Sequence, residues 1–108
     1  MHYESKERQI LDQVTAMLHQ HYGERLSRVM LFGSRARRDH TPDSDYDLLV
    51  VLKGEVDWNS TRAKVSDLIY PIECEHWVVI YCLPKSEDQY LHEQTPIMMN
   101  IRREGVEL

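Results

Sequence analysis

The sequence predicts a small mixed α/β domain of the α+β type, a short sheet with helices packed mainly on one face. Three observations carry this. Apolar runs at residues 28–32, 46–52 and 74–83 read as strands. The segments around them carry helical spacing and helix-boundary residues rather than hairpin turns. The length of 108 residues, without internal repeat or low-complexity segment, fits one domain spanning residues 1–108.

Residues Ser5 to Tyr22 place Ile10, Leu11, Val14, Met17 and Leu18 on one helical face, and Gly23 stops the helix. "RVMLF" (Arg28 to Phe32) is a short buried strand. Gly33-Ser34 turns the chain, "RARR" allows only a short helix, and "DHTPDSD" is a turn-rich loop. "YDLLVVL" is the second strand, ended by Gly54. Asp57 or Asn59 caps a helix running to about Tyr70, where Pro71 terminates it. "CEHWVVIYCL" is the third strand. Ser86 to Gln89 has the form of a capping box, opening a helix to about His92 or Glu93. Thr95-Pro96, an N-cap followed by proline at the first helical position, starts a last helix through Ile97, Met98 and Ile101 to near Gly105.

The net charge of −5 argues against a general nucleic-acid binder, which is usually basic. Arg35, Arg37 and Arg38 nevertheless form a local basic cluster. No apolar run approaches membrane-spanning length, and "MHYESKERQ" has no apolar signal core. On a straight strand Cys74 and Cys82 would lie roughly 26 Å apart at about 3.3 Å per residue, too far for a disulfide. Two free thiols fit a reducing compartment. The expectation is a cytoplasmic protein without membrane contact.

The chemistry concentrates in "LFGSRARRDHTPDSDYDLLVVL", Leu31 to Leu52. A strand, a glycine and a helix start leave backbone N–H groups pointing outward, a setting that attracts anions. Gly33 admits a close ligand, Ser34 adds a hydroxyl, and Arg35 and Arg37 add positive charge. Alone, Gly33-Ser34 reads as an ordinary strand-to-helix turn. After ten intervening residues comes Asp45-x-Asp47 at the mouth of an apolar strand. Residues i and i+2 of a strand share a face, so the two carboxylates project together and repel. A divalent cation removes that repulsion. Hard oxygen donors favour Mg2+, which takes one or two carboxylates plus substrate phosphates. Two carboxylates on a rigid strand suit one or two such ions in phosphoryl transfer. Alone, Asp-Ser-Asp is a common solvated loop; with the Gly-Ser turn it forms one site for a nucleoside triphosphate.

"GSRARRDHTPDSDYDLLV" resembles the signature of the polymerase-beta-like nucleotidyltransferase superfamily: Gly-Ser, ten residues, Asp-x-Asp. The short length and the tail "NIRREGVEL" resemble the minimal nucleotidyltransferases that act as antitoxins of helical HEPN toxins. The resemblance implies the polymerase-beta-like fold, with Gly33, Ser34 and Arg35 anchoring the triphosphate and Asp45 and Asp47 binding Mg2+. In such families a third carboxylate on a neighbouring strand completes the site as metal ligand and helps deprotonate the acceptor. Glu73 and Glu75 are the candidates, Glu75 preferred because it lies closer to the apolar run. The implied reaction is AMP transfer from ATP to a tyrosine hydroxyl of the HEPN partner. The rival is an antitoxin that keeps the fold but neutralises its partner by binding alone. Family members often carry glycine where this chain has Arg38, which ends the short helix. A left-handed backbone there would cost about 1–2 kcal/mol.

The remaining residues read more plainly. His19 and His21, two apart on a helix, do not share a face. His76 is a packing or surface histidine, Arg102 and Arg103 a solvated helix face, and Trp58 and Trp77 core or interface residues rather than a base-stacking platform.

Overall fold

The computed structural model describes residues 3–108. The helix α1 (Ser5–Tyr22) and a 3-10 turn (Gly23–Arg25) lead into β1 (Leu26–Phe32), and the five-residue helix α2 (Gly33–Arg37) follows directly. After an irregular loop come β2 (Tyr46–Leu52), α3 (Trp58–His76), β3 (Ile80–Ser86), α4 (Glu87–His92), α5 (Pro96–Glu104) and the two-residue β4 (Val106–Glu107). The sheet order is β3-β2-β1-β4. β2 runs antiparallel to β1 and parallel to β3, and β4 pairs antiparallel to β1. The parallel step needs a crossover, and α3 supplies it.

The alternation of β2 sorts its side chains between two cores. Tyr46, Leu48, Val50 and Leu52 join Ile10, Val14 and Leu18 of α1 and Val65, Ile69 and Ile72 of α3. Leu49 and Val51 face the other way, onto Met98 and Ile101 of α5. The two long helices therefore cover one face, while α4 and α5 cover part of the other. Among the described residues no helix is long and apolar enough to cross a membrane.

The bounds of α3 and β3 need correction. Pro71 does not end α3, which continues to His76. Val65, Ile69 and Ile72 are buried at helical spacing across the proline, and His76 Nε2 lies 2.7 Å from Gln13 Oε1 on α1. Pro71 sits on the exposed side, where water can satisfy the carbonyl its ring leaves unpaired. The third strand consequently starts later: Cys74 to His76 are helical and β3 begins at Ile80. Both cysteines are free. Burial pushes the Cys82 thiol up to about 12, a further charge from Glu73 acting the same way.

The caps follow the sequence. The Asp57 carboxylate accepts the Ser60 N–H, and Ser86 and Gln89 form the reciprocal capping box. Thr95 caps α5 with Pro96 next. Arg102 is more than a solvated residue: it donates to the carbonyls of Tyr90 (2.7 Å) and Glu93 (2.6 Å), stitching α5 to α4. Arg103 is exposed as expected. Neither tryptophan enters the core; Trp58 and Trp77 are both exposed.

Candidate active site

The Gly-Ser turn and the acidic pair touch. β1 ends at Phe32, which pairs with Asp47 of β2, so the turn after β1 starts beside that carboxylate. Gly33 has φ 72°, and a Cβ added there would fall on the Asp47 carboxylate. Only glycine meets both demands. Ser34 follows in the first turn of α2, whose N–H groups have no partner within the helix. Gly33→Ala is expected to cost about 1–2 kcal/mol of stability from backbone strain. Displacing Asp47 should also lower nucleotidyl transfer about a hundredfold. Thermal melts and single-turnover rates on the same sample check both.

Asp45 is exposed just before β2, and Asp47 is half-buried in its first turn of pleat, with Tyr46 between them buried on the opposite face. Burial, and then the neighbouring Asp45, push the Asp47 carboxyl above the usual carboxylate range, and Arg37 pulls it part of the way back. Asp45 thus acts on the charge of Asp47 although it stands just before β2 rather than on it. The donor set fits Mg2+, since two hard carboxylates within each other's field supply the protein's usual share of its ligands. Among the described residues no three His, Cys, Asp or Glu side chains are grouped to hold a metal ion.

Arg35 lies elsewhere than the phosphate-anchoring expectation requires. Its guanidinium is buried, pairs with the buried Glu7 of α1 at 2.8 Å and lies over the Tyr46 ring at 3.9 Å from the centroid. It also donates to the Ser44 carbonyl at 2.9 and 3.1 Å and to that of Pro42 at 3.2 Å. Arg35 thus clamps the loop that delivers Asp45. The guanidinium that shares the field of Asp47 is that of Arg37, which is held charged by Asp39 at 3.2 Å and Glu104 at 3.5 Å. Arg38 is left-handed, with φ 64° and ψ 28°. Its Nη1 donates to Glu7 Oε1 and to the Arg35 carbonyl, each at 3.0 Å, so its charge is directed to the buried acid. Glu7 was the residue the motif reading missed. It falls three residues before Ile10 and seven before Val14, on the apolar face of α1, and that position signalled it.

Glu73 and Glu75 lie on the last turns of α3, not at the head of a strand. Glu75 is 54% exposed and 3.5 Å from His76. Glu73 accepts the Ile80 N–H at 2.8 Å and lines the same groove as Asp45. In register with Asp47 across β3 stands Tyr81, not a carboxylate. The structure therefore does not bring Glu75 to the acidic pair.

The chain matches the Polymerase beta, Nucleotidyltransferase family over residues 12–106. A Methanocaldococcus jannaschii protein proposed to be a protein adenylyltransferase is 35% identical over 86 residues, which cover 80% of this chain and 79% of that protein. A chain from a toxin–antitoxin complex crystallised with AMP-PNP superposes with TM-score 0.64 at 16% identity, covering 89% of this chain and 69% of the other. A mutant MntA-HpeT toxin–antitoxin structure gives 0.61 at 17% identity, covering 91% and 70%. A proposed nucleotidyltransferase of Sulfolobus solfataricus gives 0.56 at 19%, covering 98% and 87%. A family match over nearly the whole chain, on a fold that sets a Gly-Ser turn against an Asp-x-Asp strand, makes this protein a nucleotidyltransferase of the polymerase beta family.

Proposed function

We propose that this protein is a Mg2+-dependent nucleotidyltransferase that moves AMP from ATP to a tyrosine hydroxyl of a HEPN-type toxin, and so acts as a cytoplasmic antitoxin. The observation that carries the chemistry is the packing of Gly33 against the Asp47 carboxylate beside Asp45. The relative proposed to modify proteins supports the acceptor class, and the toxin–antitoxin neighbours support the partner.

Gly33 and Ser34 receive the β- and γ-phosphates at the open turn, and Arg37 adds charge from the same side. Asp45 and Asp47 would hold Mg2+, which supplies charge neutralisation for the phosphates as negative charge shifts to the leaving group. Arg35 keeps the Pro42–Ser44 loop fixed, so that Asp45 arrives already placed. The acceptor oxygen forms a bond to the α-phosphorus as its proton passes to solvent water. The bond from that phosphorus to the bridging oxygen breaks, and pyrophosphate leaves.

The test is to incubate the chain with α-labelled ATP, Mg2+ and the toxin. Label is expected on the toxin, with a matching gain of one or more AMP units in its intact mass. A tight complex of unmodified masses would instead show neutralisation by binding alone. Transfer that survives Asp45→Ala combined with Asp47→Ala would overturn the assigned site.

A further inference from the structure

The acidic pair stands between two unlike walls. The sheet order puts β1 and the Gly33-Ser34 turn on one side of β2, and β3 with the α3–β3 turn on the other. On that second side an open groove of about 540 Å³ runs from Asp45 to the end of α3, bounded by Tyr70, Trp77 and Val79, with Asp43, Glu73 and Lys6 at its polar margins. In-line displacement at phosphorus requires the attacking oxygen and the leaving group to lie on opposite faces of the reacting atom. With pyrophosphate leaving over Gly33-Ser34, an acceptor that enters from the β3 side meets this requirement.

Trp77 marks this side. It is 94% exposed, and as the C-terminal cap of α3 it holds a left-handed backbone, φ 55° and ψ 50°. Glycine would suit that conformation and asparagine would tolerate it. A tryptophan there accepts backbone strain and full hydration of its ring together, and neither is explained by packing within the chain. Tyr70 and Val79 beside it are exposed too. Exposed aromatic anchors of this kind dominate protein interfaces. The carboxylates of Asp43, Asp45 and Glu73 outnumber the one ammonium of Lys6, so the groove favours a segment that carries positive charge.

We infer that the groove beside Asp45 is the acceptor-docking site, where a hydroxyl-bearing segment of a partner protein seats an apolar side chain on Trp77 and Val79 and a basic one against Asp43 and Glu73. This rests on the transfer reaction proposed above and assigns the surface that selects its acceptor. The β3 side then receives protein, and the nucleotide base lies outside the groove.

Trp77→Gly is the decisive variant, because it removes the ring and suits the local backbone, so it should melt no lower than the parent chain. With the HEPN-type toxin as acceptor, the expected result is a KM for toxin raised at least tenfold, with KM for ATP held. In NMR spectra the Trp77 indole signal, assigned by its loss in Trp77→Gly, should move on adding toxin and stay in place on adding a non-hydrolysable ATP analogue with Mg2+. An unchanged KM for toxin overturns the docking assignment, as does an indole signal that moves with the nucleotide analogue, which would place the base in the groove. If the parent chain transfers no AMP to the toxin, the reaction itself is refuted and the docking site with it. Transfer by the parent chain with an indifferent Trp77→Gly removes the docking site alone.

Discussion

Glu7→Ala is expected to destabilise the protein by roughly 3–5 kcal/mol, the usual consequence of removing one partner from a buried ion pair. For a domain of this size that lowers the melting temperature by roughly 15–25 °C. Glu7 is 3% exposed, and its two carboxylate oxygens meet Arg35 at 2.8 Å and Arg38 at 3.0 Å, with His40 Nε2 at 3.5 Å. Without it, the Arg35 guanidinium stays desolvated with only carbonyl partners. The effect should reach the reaction as well. The same guanidinium fixes the Pro42 and Ser44 carbonyls, so loosening it frees the loop that ends in Asp45. Chemical denaturation and transfer rates measured well below the new melting point separate the two consequences. A Glu7→Ala protein as stable as its parent would show that the ion pair contributes nothing to the fold. Arg35→Lys should not rescue function, since one ammonium cannot reproduce the fork that bonds Glu7 and two carbonyls at once.

The second large effect is on chemistry. Asp47→Asn keeps the shape of the side chain and removes its charge, and it should lower AMP transfer at least a thousandfold, about 4 kcal/mol of transition-state stabilisation. The same substitution should make the metal-free fold more stable at neutral pH. Burial and Asp45 raise the folded-state affinity of Asp47 for a proton, so its ionised form is disfavoured on folding. The gain should therefore be complete above the raised folded pKa. It should vanish as pH falls below the ordinary carboxylate range, where both folded and unfolded Asp47 are protonated. Added Mg2+ should raise the melting temperature of the parent chain and leave Asp47→Asn nearly unchanged. A parent protein indifferent to Mg2+ in such melts would remove the metal from these two carboxylates. Activity and stability are thus opposed at this residue, as they often are where like charges are gathered for a ligand.

Much of this was legible in the order of residues. The apolar face of α1, the β2 strand, the capping box at Ser86 and the Thr95-Pro96 helix start all use local rules, and the structure follows them. The Asp45-x-Asp47 spacing predicts two neighbouring carboxylates, and Asp45 does act on the charge of Asp47, from just before β2 rather than on it. Tertiary packing decided what local rules could not. Pro71 reads as a helix stop until Ile72 is seen buried beyond it. Moving that boundary carried Glu73 and Glu75 from a strand onto a helix and set Tyr81 beside Asp47. Arg35 follows Ser34 in sequence, yet its long side chain turns inward to Glu7, a direction that residue type and spacing do not specify.

The outer rim of β3 sets a limit on how the protein can assemble. Amide groups alternate in direction along a strand. The Val79 carbonyl accepts from Tyr46 on β2, so the amides of Ile80, Cys82, Pro84 and Ser86 point outward. Glu73 occupies the first, proline has no hydrogen at the third, and Gln89 takes the fourth. Only the Cys82 amide is left to offer. A foreign strand laid along this rim would find one donor where a ladder needs several, so extension of the sheet there by a second copy or an unfolded neighbour is disfavoured. High concentration should therefore not readily drive this edge toward fibrils, and a partner arriving at the β3 side is held mainly by side chains.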